Sequence, residues 1–207
     1  MKLYNADLSP NCLRVRAAIQ ELTLPVELID VDLRASPKPP ALLAVNPNGK
    51  VPAFVDDDGF TLYESRAISQ YLANKLPERD LYPADDKRRA LVDQWSYWQA
   101  LQLGPPLQLI GFQRVLKPKL GMGASDEALV QEKLAEVERN LPILEQGLEG
   151  KAWLVGELSL ADFGVAASFY LSRPAHIPLA KFPNIERWIE RVEALPSWQR
   201  ALPRRIW

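Results

Sequence analysis

Two-residue alternation of apolar and polar side chains is confined to the start of this chain, and no other feature restricts its fold as much. Val26-Glu27-Leu28-Ile29-Asp30-Val31-Asp32 alternates apolar with acidic residues and carries a β-branched bias, as a half-buried strand does. Before it, Val15, Ala18, Ile19 and Leu22 recur at i, i+3, i+4 and i+7, the stripe of a helix packed on one face, and Pro25 ends that helix. Residues 1–7 begin as a strand, which completes a strand–helix–strand unit. Residues 51–55 and 61–63, separated by Asp56-Asp57-Asp58-Gly59, read as a hairpin. A helix over 64–74 follows, with Ile68, Tyr71 and Leu72 on its inner face. The Pro-rich stretch Ser36-Pro37-Lys38-Pro39-Pro40 is a poor helix interior and leaves room only for a short helix at 41–45.

This βαβ–ββα order is that of a thioredoxin-like α/β domain over residues 1–77. After Pro77 the texture changes. Residues 78–86 are polar and Pro-interrupted, the composition of a linker, and no strand alternation returns in 87–207. That part reads as an all-α bundle. One helical stretch covers 88–120 with a bend at Gly104-Pro105-Pro106, and another covers 125–148 with Ser125-Asp126-Glu127 at its start. Ser159-Leu160-Ala161-Asp162 has the form of a capping box, and a last helix over 184–195 lies between Pro183 and Pro196. His176, between Pro174 and Pro178, reads as a loop residue.

The 207 residues are 47% hydrophobic and 25% charged with a net charge of −1, an ordinary globular composition without an electrostatic preference for nucleic acid or an anionic membrane. An acid at Asp7 interrupts the N-terminus before any apolar run of signal length, and no stretch approaches a membrane span, so a cytoplasmic location is expected. A single cysteine excludes an internal disulfide, and a single histidine leaves no His/Cys metal cluster, so no metal is expected. The chemistry must rest on other groups.

Three short motifs could carry it. Ser9-Pro10-Asn11-Cys12 opens the first helix, and its plain reading is an N-cap serine with proline in the first turn. The same helix start could stabilise an anion, with the Ser9 hydroxyl or the Asn11 amide as donor. Cys12, three residues after Ser9, resembles the second cysteine of a thioredoxin C-x-x-C whose first has become serine; without that first sulfur, dithiol redox chemistry fails, and a buried helix cysteine is the competing reading. Asn46-Pro47-Asn48-Gly49-Lys50-Val51-Pro52-Ala53-Phe54 joins a turn to an edge strand opening on Val51-Pro52. Glu64-Ser65 opens the next helix and, taken alone, is a capping pair.

Together these motifs resemble the glutathione site of the cytosolic glutathione S-transferase family, and the resemblance runs through nearly all of the chain. Ser9 stands five residues before Arg14-Val15, the spacing of the phi, theta and zeta classes. Glu64-Ser65-Arg66-Ala67-Ile68 matches a phi-like pattern, and Ser9-Pro10-Asn11 resembles the Thr-Pro-Asn of the nu class. The resemblance implies glutathione as co-substrate. It implies a cis Val51-Pro52 bond whose Val51 backbone pairs with the cysteinyl unit, Lys38 and Lys50 at the glycyl carboxylate, and Glu64 and Ser65 at the γ-glutamyl ammonium and carboxylate. Ser9, Asn11 and Cys12 all remain candidates for contact with the sulfur. A small apolar electrophile would lie against Trp95, Trp98, Leu101, Pro106, Leu107, Ile110 and Phe112, with Trp207 at the chain end, although most of these read equally as core. The resemblance also implies a homodimer, with Asn48 where phi-class proteins carry a phenylalanine plug and hence a more polar interface. Two other enzymatic readings stay open, a zeta-like isomerase of maleyl compounds and a nu-like glutathione-disulfide reductase. A stringent-starvation-like interaction module is the non-enzymatic one.

Overall fold

The computed structural model describes residues 1–203, which form two compact units. The first contains residues 1–84 together with 194–203, and the second runs from Asp85 to Glu193. Strands β1 (Lys2–Asn5), β2 (Glu27–Asp30), β3 (Ala53–Val55) and β4 (Thr61–Tyr63) form one sheet in the order β2-β1-β3-β4. β1 and β2 are parallel, with Leu3 beside Leu28, while β3 runs antiparallel to β1 and to β4, with Phe54 between Leu3 and Leu62. The expected βαβ–ββα order is therefore the order observed. β3 starts at Ala53 rather than Val51, because Pro52 has no N–H to give to a ladder.

Helix α1 (Pro10–Leu22) contacts α3 (Ser65–Asn74), and the short α2 (Pro40–Val45) lies by β3 and β4. Leu3, Leu13, Phe54, Ile68 and Leu72 are fully buried and form the core of this unit. The stripe read from sequence understates α1, which is buried continuously from Cys12 to Ile19. The reason is a second partner, α10 (Pro196–Ala201). Arg16 donates through Nε to the Ala201 carbonyl at 2.8 Å, and Arg200 donates to Gln20 at 3.0 Å. A linear division at residue 87 assigns this last helix to the second unit; its contacts assign it to the first. Pro196 starts α10 as its first helical residue instead of merely ending the preceding helix, since a missing N–H costs nothing at that position.

The second unit is helical: α4 (Asp86–Trp98), α5 (Gly104–Gly111), α6 (Lys117–Lys119), α7 (Glu127–Gly147), α8 (Leu160–Phe169) and α9 (Pro183–Glu193). Asp85 caps α4 by accepting from the Arg88 N–H at 2.8 Å, and Asp126 caps α7 by accepting from Leu129 at 3.1 Å. The expected bend is two wide π-type turns, Gln99–Leu103 before Gly104-Pro105-Pro106 and Phe112–Leu116 before Pro118. Prolines that cannot donate are accommodated by widening the turn ahead of them. A side chain at Gly147 would place its Cβ 2.5 Å from the Trp95 ring, so α7 needs glycine there.

Around the start of α8, the capping box read from sequence is formed: the Ser159 N–H donates to Asp162 at 3.0 Å and the Ala161 N–H to the Ser159 hydroxyl at 3.3 Å. Asp162 also accepts from the Leu154 N–H at 3.0 Å and from the Trp188 indole N–H of α9 at 2.9 Å. Burial pushes its carboxyl up to about 6, against the pull of those donors. His176 is an exposed turn residue with φ 55°. No helix among the described residues is long and apolar enough to cross a membrane.

Candidate active site

The sheet register brings the three sequence motifs to one end of the first unit. Tyr4 pairs with Ala53 and Ala53 with Tyr63. Val51-Pro52, continuing β3 outward, therefore runs between the segment leaving β1 towards Ser9 and the Glu64-Ser65 step leaving β4. Its peptide bond is cis, as is that of Ser36-Pro37. The Val51 N–H and C=O pair with no other described residue, which leaves a short strand edge exposed at the centre of the cluster.

Ser9 is the N-cap of α1. Its hydroxyl oxygen accepts from the Cys12 N–H at 3.3 Å, and its own N–H donates to the Ala6 carbonyl at 3.0 Å. A hydroxyl that accepts in this way keeps its proton to donate, and Ser9 gives it to no other described residue. Asn11, one residue into the helix, is half-buried with its amide likewise uncommitted. Cys12 is fully buried, and its sulfur accepts from the Ala6 N–H at 3.4 Å. Burial raises its thiol pKa, outweighing the Ala6 and Ser9 contacts, so at neutral pH it stays an apolar thiol in the core.

α3, a ten-residue helix, starts without a capping side-chain hydrogen bond at its positive end. Glu64 holds φ at 73° and ψ at 113°, a backbone region that costs a side-chain-bearing residue about 1–3 kcal/mol. Glu64 is exposed and its carboxylate makes no hydrogen bond or ion pair with another described residue, whereas Ser65 is buried at the first helical position. Beneath this step Arg14 is fully buried, and burial followed by the nearby Arg66 charge lowers its pKa. The Arg66 charge and the helix dipole make the start of α3 electropositive.

The turn before Val51 is built on Asn46. Its amide donates to the Lys50 carbonyl at 2.7 Å, and its side-chain oxygen accepts from the Asn48 N–H and the Asn48 amide, each at 3.0 Å. Gly49 has φ 61°, and a Cβ there would come within 3.2 Å of the Lys38 stem. Lys38 is therefore laid across the turn, and its ammonium donates to the Leu33 carbonyl. Lys50 is exposed, with no partner among the described residues.

This geometry has counterparts of known family. Residues 3–80 match the model of the glutathione S-transferase N-terminal domain, and residues 105–196 that of the C-terminal domain. The chain is 35% identical over 211 residues to glutathione S-transferase 3 of Zea mays, spanning 98% of this chain and 93% of that one. The chain belongs to the glutathione S-transferase family. It is also 31% identical over 208 residues to a glutathione S-transferase of Hyoscyamus muticus, covering 98% and 97% of the two chains. A solved glutathione S-transferase I with lactoylglutathione bound superposes with a TM-score of 0.87 at 32% identity, over 97% of each chain.

Several residues that shape the candidate site of this glutathione S-transferase family member escape a reading by motif. Arg16 donates to the Asn5 side chain at 2.6 Å and to the Asp7 carbonyl at 3.0 Å, and so holds the segment that delivers Ser9. The signal available in sequence was a pair of arginines, Arg14 and Arg16, inside an otherwise apolar helix stretch. Asn46 carries the turn, and an asparagine two residues before another in a Pro/Gly context is the usual mark of an Asx turn. Of the apolar wall read from sequence, Trp95, Pro106, Leu107 and Ile110 are buried in the helical core, Trp98 and Phe112 are half-buried, and Leu101 is exposed. Trp207 lies outside the described residues.

Proposed function

We propose that this protein conjugates glutathione to a small apolar electrophile, with Ser9 holding the thiolate. The observation that carries the reading is the hydrogen-bonding state of Ser9: its oxygen accepts from the Cys12 N–H, and its hydroxyl proton, given to no other described residue, remains to be donated to a ligand. Val51 supplies strand-like pairing for the cysteinyl unit. The uncapped start of α3 with Ser65 takes the γ-glutamyl carboxylate, Glu64 takes the ammonium, and Lys50 with Lys38 takes the glycyl carboxylate. Asn11 is a second donor within the first turn of α1, and Cys12 is assigned to the core.

A free thiol with a pKa near 8.5 is only a few per cent ionised at neutral pH. Lowering it by about two units takes roughly 2.7 kcal/mol of preferential thiolate binding, within reach of one hydroxyl hydrogen bond and a helix start. Because nucleophilicity falls with basicity at a slope of about 0.4–0.5, part of that gain is returned. Most of the acceleration therefore comes from holding the electrophile beside the sulfur. In the reaction the sulfur lone pair forms a C–S bond while the electrophile's leaving group departs with the bonding pair, and the thiol proton goes to solvent.

The protein is further proposed to act in the cytoplasm as a homodimer in detoxification. Asn48 bonds back onto Asn46, so this turn offers a partner a polar surface, and Tyr97 and Leu101 supply exposed apolar area four residues apart. Ultraviolet titration of the bound thiolate tests the central claim. Native protein should show a bound-thiol pKa well below 8.5, and Ser9→Ala should raise it by about one to two units. An unchanged pKa in Ser9→Ala transfers the role to Asn11, and failure to bind glutathione refutes the reading.

A further inference from the structure

The helical unit carries a second feature that conjugation does not use. Lys151, Arg187, Arg191 and Asn184 line a concavity of about 290 Å³ whose floor is Leu148, Gly150 and Ala152. Three cations surround it, and each is oriented by a neutral oxygen. The Lys151 ammonium donates to the Gly147 carbonyl at 3.1 Å, and Arg187 donates to the Asn184 side chain. Arg191 donates to the Ala152 carbonyl at 2.7 Å and lies 5.7 Å over the Trp153 ring. Among the described residues no carboxylate pairs with any of the three. Glu145 is committed elsewhere, its two oxygens accepting the Asn184 and Ile185 N–H groups, both at 3.0 Å, at the start of α9, and Glu149, Glu186 and Glu190, near in sequence, are not among the residues that line the concavity.

Each guanidinium has five N–H donors and the ammonium three, so most of the donors around this pocket have no acceptor in the protein. They line one concavity and are of one sign, which is the arrangement that binds a multiply charged oxyanion. We propose that this pocket is a binding site for a soluble phosphoryl anion, of the size of a diphosphate group. Three cations in one concavity suit a compact anion. A nucleic-acid backbone requires an extended basic stripe, which a chain of net charge −1 with interspersed signs does not supply.

The test is a titration of the full protein with inorganic diphosphate, followed by nuclear magnetic resonance at the Arg187 and Arg191 side-chain N–H signals and by calorimetry, against sodium chloride at matched ionic strength. Saturable shifts confined to this pocket are expected. Binding should weaken about tenfold or more in Arg187→Gln/Arg191→Gln. Because Arg191 also supports Ala152 and Trp153, Lys151→Gln/Arg187→Gln serves as a second variant that keeps that contact, and it should weaken binding similarly. Glutathione conjugation should be unchanged in both. Shifts reproduced by sodium chloride, binding retained in both variants, or sedimentation with phosphatidylserine vesicles in place of diphosphate binding would each overturn the proposal.

Discussion

At the scale of single residues, the proposed site rests on groups whose local cost is visible. Glu64 sits at φ 73° where glycine would sit without strain. Glu64→Gly should therefore raise the unfolding free energy by about 1 kcal/mol in denaturant titration, net of the glycine entropy, while glutathione KM rises about tenfold. Loss of both stability and affinity would mean that Glu64 acts as a structural residue. Asn46 has no such strain, but its side chain makes three hydrogen bonds within the turn. Asn46→Ala should cost about 2–3 kcal/mol and weaken glutathione binding, because the Val51 edge loses its support. Isothermal titration alongside thermal unfolding separates the two effects.

At the scale of elements, the far side of the site-bearing sheet is fastened by charge. Asp56, at the end of β3, forms an ion pair with Lys75 at 2.6 Å and accepts the Tyr71 hydroxyl proton; Lys75 lies 4.8 Å over the Tyr71 ring. The Lys75 and Tyr71 contacts lower the Asp56 pKa from 3.8 to about 2. A depressed carboxyl contributes stability above its unfolded pKa and loses it as pH falls through the folded one. The stability difference between native protein and Asp56→Asn should accordingly be constant above about pH 4 and shrink towards pH 2. A difference independent of pH would show that the pair does not hold the hairpin to α3. Asp162 has the opposite sign, since its raised pKa means that ionisation between about 4 and 6 costs native stability. Its four donors nevertheless make it the anchor of α8 and α9, and Asp162→Ala should cost about 3–5 kcal/mol in the unfolding of the helical unit, read by Trp188 fluorescence.

At the scale of the molecule, the return of the last helix to the first unit makes Arg16 a link between chain end and site. One guanidinium binds the Ala201 carbonyl, the Asn5 side chain and the Asp7 carbonyl. Arg16→Met should speed amide exchange both in α10 and in the segment before Ser9; exchange changed only locally at α1 would break that link. Sequence alone determined the element order, because periods of two and of 3.6 residues record which faces are buried whatever the partner. It also determined the site motifs, because a helix start and a Val-Pro edge are local patterns that keep their spacing. The burial of Cys12 and Arg14, the backbone of Glu64, the uncapped start of α3 and the placement of α10 were decided only in the tertiary structure. Each depends on what packs against a residue from a distant part of the chain, and a helical period cannot say that α1 is covered on two sides. The same limit explains the long helix of the second unit, where prolines announced a bend but packing chose to absorb it in two wide turns.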